Sequence, residues 1–185
     1  AEVASTCNEA LLIRHLLKNS KDKQEKAYLL NYFLESFRGT LFRQTMFAEF
    51  EQKAHEMAAT GESLTSQSLC SIYKKLNEDY FGPDTVTDPE IQYEWERIPH
   101  FYTPFYVYQY ATGFSAAIAI SRKIFNGEPG ILEGYRKFLS GGCCDTPIEL
   151  LKLAGVDMSH TGPVEEALKF FEELLNEFEE LVHRF

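Results

Sequence analysis

The chain has 185 residues, 44% of them hydrophobic and 14% aromatic, with a formal net charge of −10 and a pI near 5.0. This apolar content is enough for a sizeable buried core, which excludes a disordered chain and predicts a single helical domain over residues 1–185. The acidic balance excludes nucleic acid as a partner, because nucleic-acid binding depends on Lys and Arg that neutralise phosphates.

Cysteine usage points to an intracellular protein without a structural metal site. The four cysteines, Cys7, Cys70, Cys143 and Cys144, show neither CxxC spacing nor accompanying His at zinc-finger spacing. This spacing does not indicate a disulfide framework either, and the adjacent Cys143 and Cys144 cannot easily pair with one another. We therefore predict reduced thiols in a cytoplasmic protein.

Apolar residues recur at helical spacing through most of the chain, and strand signals are nearly absent. The predicted helices cover residues 2–17, 22–58 with a possible bend at Gly39, Thr65 or Ser63 to Tyr80, 104–125, 130–139, 147–154 and 164–183. The pattern predicts an all-α, multi-helix bundle, in which residues 82–99 form an ordered surface loop.

A long uncharged stretch follows that loop. Residues 98–121 contain no Asp, Glu, Lys or Arg, and their number alone would satisfy a test for a membrane span. Four Tyr, together with Gln, Thr, Ser and Pro, make the stretch too polar for hydrocarbon. We predict a buried helix that starts at Pro104, and no membrane partner.

The same stretch holds the candidate site residues His100, Tyr102, Tyr106 and Tyr108. His100 is either a packing residue or a donor to a substrate carbonyl or oxyanion. On the predicted helix Tyr106 shares a face with Tyr110, while Tyr108 points roughly 160° away. If the helix buried these hydroxyls, a polar, water-containing cleft would satisfy them more readily than a dry core, which modestly favours a site.

Two carboxylates lie near the start of the chain. Glu2 and Glu9 are separated by two helical turns, which brings them within about 20° of one another on one face. A Glu at a helix start usually serves the helix dipole, so a ligand role for Glu2 stays one of two readings at this point. Since residue 1 is not Met, we expect the sequence to be part of a longer chain.

Four blocks together carry a family resemblance: residues 1–9, 98–102, 105–113, and 140–142 through 150–158. In this order the chain resembles oligoendopeptidase F, which stands with thimet oligopeptidase among the zinc metallopeptidases. The resemblance extends over essentially all 185 residues. It implies the C-terminal portion of a zincin-like helical peptidase that hydrolyses short peptides.

The resemblance also implies roles for individual residues. Glu2 matches the third zinc ligand, a Glu on the helix after an H-E-x-x-H helix, and Glu9 matches a carboxylate that orients a ligand imidazole. His100 and Tyr108 match the His and Tyr that hold the substrate and stabilise the oxyanion. Tyr102 and Tyr106 are further candidates for the same substrate-binding wall of the active site.

The chain departs from the family pattern in one respect. H-E-x-x-H does not occur in it, and no two His stand four residues apart. The resemblance therefore implies that two zinc ligands and the general base belong to the remainder of a longer peptidase chain, and that these residues alone are inactive and bind zinc weakly. The alternative is a non-catalytic helical peptide-binding or scaffold module, in which the Tyr residues bind partners or pack.

Overall fold

The computed structural model describes residues 2–183, and all regular secondary structure in this range is helical, which confirms the all-α prediction. The α-helices are α1 (Val3–Asn19), α2 (Lys23–Phe37), α3 (Arg43–Thr60), α4 (Ser66–Phe81), α5 (Tyr108–Phe125), α6 (Ile131–Ser140), α7 (Pro147–Leu153) and α8 (Gly162–Val182). A π-helix, Arg38–Phe42, joins α2 to α3, and two 3-10 helices, Pro89–Arg97 and Pro99–Tyr102, precede α5.

The helices group into two compact units. The first comprises the described residues of Ala1–Leu41 and Thr112–Phe185, and the second is Phe42–Ala111. The chain passes between them once in the π-helix and once in the first turn of α5. The expectation of a single domain stays a prediction. None of the helices in residues 2–183 has the length and apolar character that a membrane crossing requires.

The first unit packs around small residues of α5. Gly113 lies close enough to α1 that a Cβ atom there would stand 3.6 Å from Val3 Cγ2, an ordinary van der Waals contact. The buried cluster draws on α1, α5, α6, α7 and the turn after α7: Cys7, Ala116, Ala117, Ala119, Ile120, Tyr135, Leu151, Ala154 and Val156. Small side chains therefore allow the close helix packing that their number in α5 predicts.

The second unit packs α3 and α4 against the segment that leads into α5. Its buried cluster is Met46, Phe47, Phe50, Tyr73, Leu76, Ile98 and Val107. Thr65 begins α4 with a capping box, accepting a hydrogen bond from the backbone N–H of Ser68 at 3.1 Å, so the first of the two predicted caps is the one used. Ile98 and Val107 bring both ends of the aromatic segment, residues 98–107, into this core.

Two local predictions need correction. The helix after the aromatic segment begins at Tyr108 and not at Pro104, because Phe105 adopts a left-handed backbone conformation (φ 56°) that no α-helix contains. Residues 82–99 are also more regular than a surface loop, since Pro89–Arg97 forms a 3-10 helix. The bend predicted at Gly39 corresponds to the π-helix.

Candidate functional site

His100 lies on the second 3-10 helix of the second unit and contacts two tyrosines. Its Nε2 is 3.2 Å from the Tyr110 hydroxyl, and its ring stacks on that of Tyr106 with centroids 5.6 Å apart and planes inclined by 16°. The Tyr106 and Tyr110 rings meet edge to face at 5.7 Å. We call these three residues the His100 cluster. It is a polar aromatic group in which one imidazole nitrogen is held by a phenol.

Tyr110 is a functional candidate that the site prediction omitted, although its spacing from Tyr106 had grouped the two. The pair does meet, but not along one helix, because Tyr106 precedes the first residue of α5. The turn at Phe105 brings Tyr106 to the imidazole instead. The spacing thus paired Tyr106 with Tyr110 correctly, although the helix boundary that it assumed is incorrect.

All three tyrosines of the site prediction are at least partly exposed to solvent. Relative exposure is 83% for Tyr102, 50% for Tyr108 and 38% for Tyr106. The idea that a helix buries these hydroxyls is therefore wrong, and the argument from buried phenols no longer bears on the choice between site and core. Their exposure instead makes the rings accessible to a ligand at the surface of the second unit.

A buried carboxylate fixes the segment that leads to His100. Glu94, 7% exposed, accepts hydrogen bonds from Arg43, from Arg97 at 2.6 Å and from the Tyr73 hydroxyl at 2.7 Å. Two guanidinium groups and a phenol satisfy the buried charge, as such a carboxylate requires. Burial, reinforced by the bond to Glu94, raises the pKa of Tyr73 far above its usual range, so the phenol remains a donor.

The turn at Phe105 is held by α3. The Phe105 backbone N–H donates to Glu51 Oε1 at 2.6 Å, and its ring packs on the His55 imidazole with centroids 4.6 Å apart. Glu51 is only 6% exposed. Earlier in the segment, Phe101 packs its ring on Phe50 at 5.2 Å. Backbone and side-chain contacts therefore position both sides of the turn.

Glu2 and Glu9 belong to the first unit. Glu2 is the N-cap residue of α1, where its carbonyl accepts from the Thr6 N–H at 2.9 Å and its side chain makes no capping hydrogen bond. Glu9 lines a cavity of about 70 Å³ whose polar lining also includes Thr6, Tyr32 and Ser36. Both residues are exposed to solvent.

The donor set of the described residues does not make a complete metal site. Within residues 2–183, no group of three His, Cys, Asp or Glu side chains is placed to hold a metal ion. The Glu2 carboxylate has suitable chemistry for one zinc ligand, but a protein zinc site normally needs at least three. A zinc role for Glu2 thus depends on ligands that these residues do not supply.

The structure thus combines an all-helical fold with a partly exposed imidazole–phenol cluster. The model of peptidase family M3 matches residues 1–170, and the chain belongs to that family. Among curated relatives, oligopeptidase PepF of Bacillus subtilis (strain 168) is 55% identical over 183 residues. The chromosomal oligoendopeptidase F of Lactococcus lactis subsp. cremoris is 52% identical over 184 residues.

A solved structure shows the same fold. The crystal structure of oligoendopeptidase-F from Enterococcus faecium matches with a TM-score of 0.96 and 51% identity, covering all of this chain and 35% of that one. The two curated relatives match 98% and 100% of this chain, which spans only 27% and 31% of their respective lengths. The similarity confirms the resemblance that the four sequence blocks indicated.

Proposed function

We propose that the chain is part of a zinc-dependent endopeptidase that cleaves short peptides. Family membership and relatives named as oligoendopeptidases support a peptidase. The observation that carries the proposal is the His100 cluster, in which a phenol holds one nitrogen of a partly accessible imidazole. Such a group is suited to hydrogen-bond a peptide carbonyl.

The contact with Tyr110 determines which imidazole nitrogen of His100 can donate a hydrogen bond to substrate. When the Tyr110 hydroxyl donates to Nε2, the imidazole proton resides on Nδ1, and Nδ1 becomes a donor. We assign that donor to a substrate carbonyl. Stacking on Tyr106 keeps the ring plane fixed, so less conformational freedom is lost when substrate binds.

The exposed tyrosines would complete the substrate-binding wall. We assign the Tyr108 hydroxyl to the oxyanion that forms when the peptide carbonyl is attacked, because a neutral phenol donates without losing its own proton. Tyr102 and Tyr106 would line the path of the peptide chain, where amphipathic rings contact both side chains and backbone. Their solvent exposure supports this role.

Glu2 would contribute one carboxylate to zinc, and Glu9, two turns along α1, would orient an imidazole that binds the metal. The remaining ligands and the general base would come from the rest of a longer peptidase chain, so the 185 residues alone should be inactive. When bound, zinc acts as a Lewis acid on the peptide carbonyl. We place the enzyme in the cytoplasm, which the four free cysteines support.

The test compares zinc content and peptide hydrolysis in the full-length natural protein, its Glu2→Gln variant and the 185-residue chain. Glu172→Gln, on the solvent-facing side of α8, is the control. We expect zinc and activity in the full-length protein and the control, and loss of both in Glu2→Gln and in the isolated chain. Activity that survives Glu2→Gln would exclude Glu2 as a ligand.

A non-catalytic peptide-binding module is the second candidate. The observation that favours it is the set of aromatic rings exposed on the second unit, with Tyr102 at 83% and Phe105 at 55%. A full-length protein that binds peptides but contains no zinc and cleaves nothing would establish this alternative. Peptide affinity without turnover is the distinguishing measurement.

A further inference from the structure

We propose that Glu51 is a positioning residue that holds the turn at Phe105 and thereby places Tyr106 against His100. The inference rests on the proposed function, since it concerns how the substrate-binding cluster is built. Glu51 is itself buried, 54 positions before Phe105 in the sequence, and the two are joined by a hydrogen bond of 2.6 Å. No family block or local spacing pattern had singled it out.

The turn needs an external constraint. Within residues 2–183, Phe105 is the only residue other than glycine with a positive φ, at 56°. A residue with a Cβ is sterically disfavoured in this conformation, and a large aromatic side chain more so than Asn or Asp. Such a backbone persists only where surrounding contacts hold it, and it concentrates at functional sites.

α3 supplies contacts on both the backbone and the side chain of Phe105. Glu51 accepts its N–H, while His55, one helical turn later on the same face, packs against its ring at 4.6 Å. Met46, Phe47 and Phe50 anchor this part of α3 in the core of the second unit. A rigid helix therefore sets the turn, which is how a precise site is best supported.

The turn at Phe105 determines where Tyr106 lies in the His100 cluster. Tyr106 follows Phe105 directly, and its ring lies parallel to that of His100 within 16°. Rotation about the Phe105 backbone would swing Tyr106 away from the imidazole, and a misplacement of about 1 Å in a reacting group can lower a rate by roughly 100-fold. Loss of the Glu51 bond should thus affect turnover although Glu51 is not assigned a contact with substrate.

The test uses the full-length natural protein with Glu51→Gln and Glu51→Ala. Glu56→Gln, an exposed change of the same chemistry on α3, is the matched control. We expect kcat to fall roughly 10- to 100-fold in Glu51→Ala and less in Glu51→Gln, which retains an acceptor oxygen, while zinc content stays unchanged. Exchange of the Phe105 amide hydrogen should accelerate at least about tenfold in Glu51→Ala, with amides of α4 unaffected.

A double-mutant cycle separates positioning from general stability. Glycine adopts positive φ readily, so Phe105→Gly should make the turn less dependent on Glu51. We expect Glu51→Ala to lower kcat by a smaller factor in the Phe105→Gly background than in the wild type. An equal factor in both backgrounds would overturn the proposal, as would unchanged kcat and Phe105 exchange in Glu51→Ala.

The outcomes also separate this inference from the proposed function. A wild-type full-length protein without zinc or turnover would refute the proposed function and, with it, the role of Glu51 in turnover. Exchange at Phe105 that responds to Glu51→Ala in an active enzyme supports the positioning role. Loss of activity in Glu51→Gln, with slow exchange retained at Phe105, would instead place Glu51 in the chemistry and refute positioning.

Discussion

Gly134→Ala offers the sharpest test of the packing in the first unit. Gly134 lies in α6, and a Cβ atom there would stand 2.0 Å from the carbonyl oxygen of Leu153 and 3.1 Å from its carbonyl carbon. Helix propensity alone predicts that alanine stabilises a helix interior by about 1 kcal/mol. The close approach of α6 and α7 predicts the opposite sign.

The size of the stability loss in Gly134→Ala follows from the distance between the added Cβ atom and the Leu153 carbonyl oxygen. The oxygen belongs to the backbone, so relief requires a shift of about 1 Å before the contact reaches 3.0 Å. Overpacking of this kind costs about 1–3 kcal/mol, and a backbone obstacle points to the upper end. After subtraction of the propensity gain, we expect a net loss of about 2 kcal/mol, which corresponds to a Tm lower by roughly 4–8 °C in a chain of this length.

Thermal unfolding followed by far-UV circular dichroism of the 185-residue chain measures this change. Gly113→Ala is the matched control, because Gly113 also lies inside a helix and a Cβ there meets only Val3 Cγ2 at 3.6 Å. We expect the control to unfold at the wild-type temperature or slightly higher. If Gly134→Ala raised the Tm as the control does, the packing of α6 on α7 described above would be incorrect.

Two further predictions concern chemistry. Tyr108→Phe in the full-length natural protein removes the proposed oxyanion donor, so kcat should fall roughly 100-fold or more with zinc retained; unchanged turnover would remove Tyr108 from the site. Burial raises the pKa of the Cys7 thiol from 9.0 to about 11. Since the unfolded chain releases this proton first, the free energy of unfolding should fall as pH rises from about 9 to about 11. Urea unfolding should show a smaller fall over that interval in Cys7→Ala than in the wild type. Equal falls in both would contradict the assignment.

Most helices were predictable because their signals are local. The break after α1, the cap at Thr65 and the irregularity at Gly39 all depend on residues within a few positions of each other. The start of α5 was not predictable, because Pro104 is compatible with a first helical turn and nothing nearby indicates the left-handed conformation of Phe105.

Some features of the candidate site could likewise be predicted from local sequence, and others could not. His100 and the tyrosines could be selected from their types and spacing, and family resemblance added Glu2 and Glu9. The partner of His100 was missed, because Tyr110 lies ten positions further along the chain, beyond the turn at Phe105 that local sequence did not indicate. Glu94 was missed as well, since Arg43 and Tyr73 lie 51 and 21 positions away from it.

By itself, the sequence determined the helical class, most helix limits and the family, since apolar periodicity, caps and contiguous blocks are properties of short segments. Only the tertiary structure decided the turn at Phe105, the stacking of Tyr106 on His100 and the burial of Glu51 and Glu94. The physical reason is that these features rest on hydrogen bonds and packing between segments far apart in the chain, which can hold a backbone conformation that local preferences disfavour.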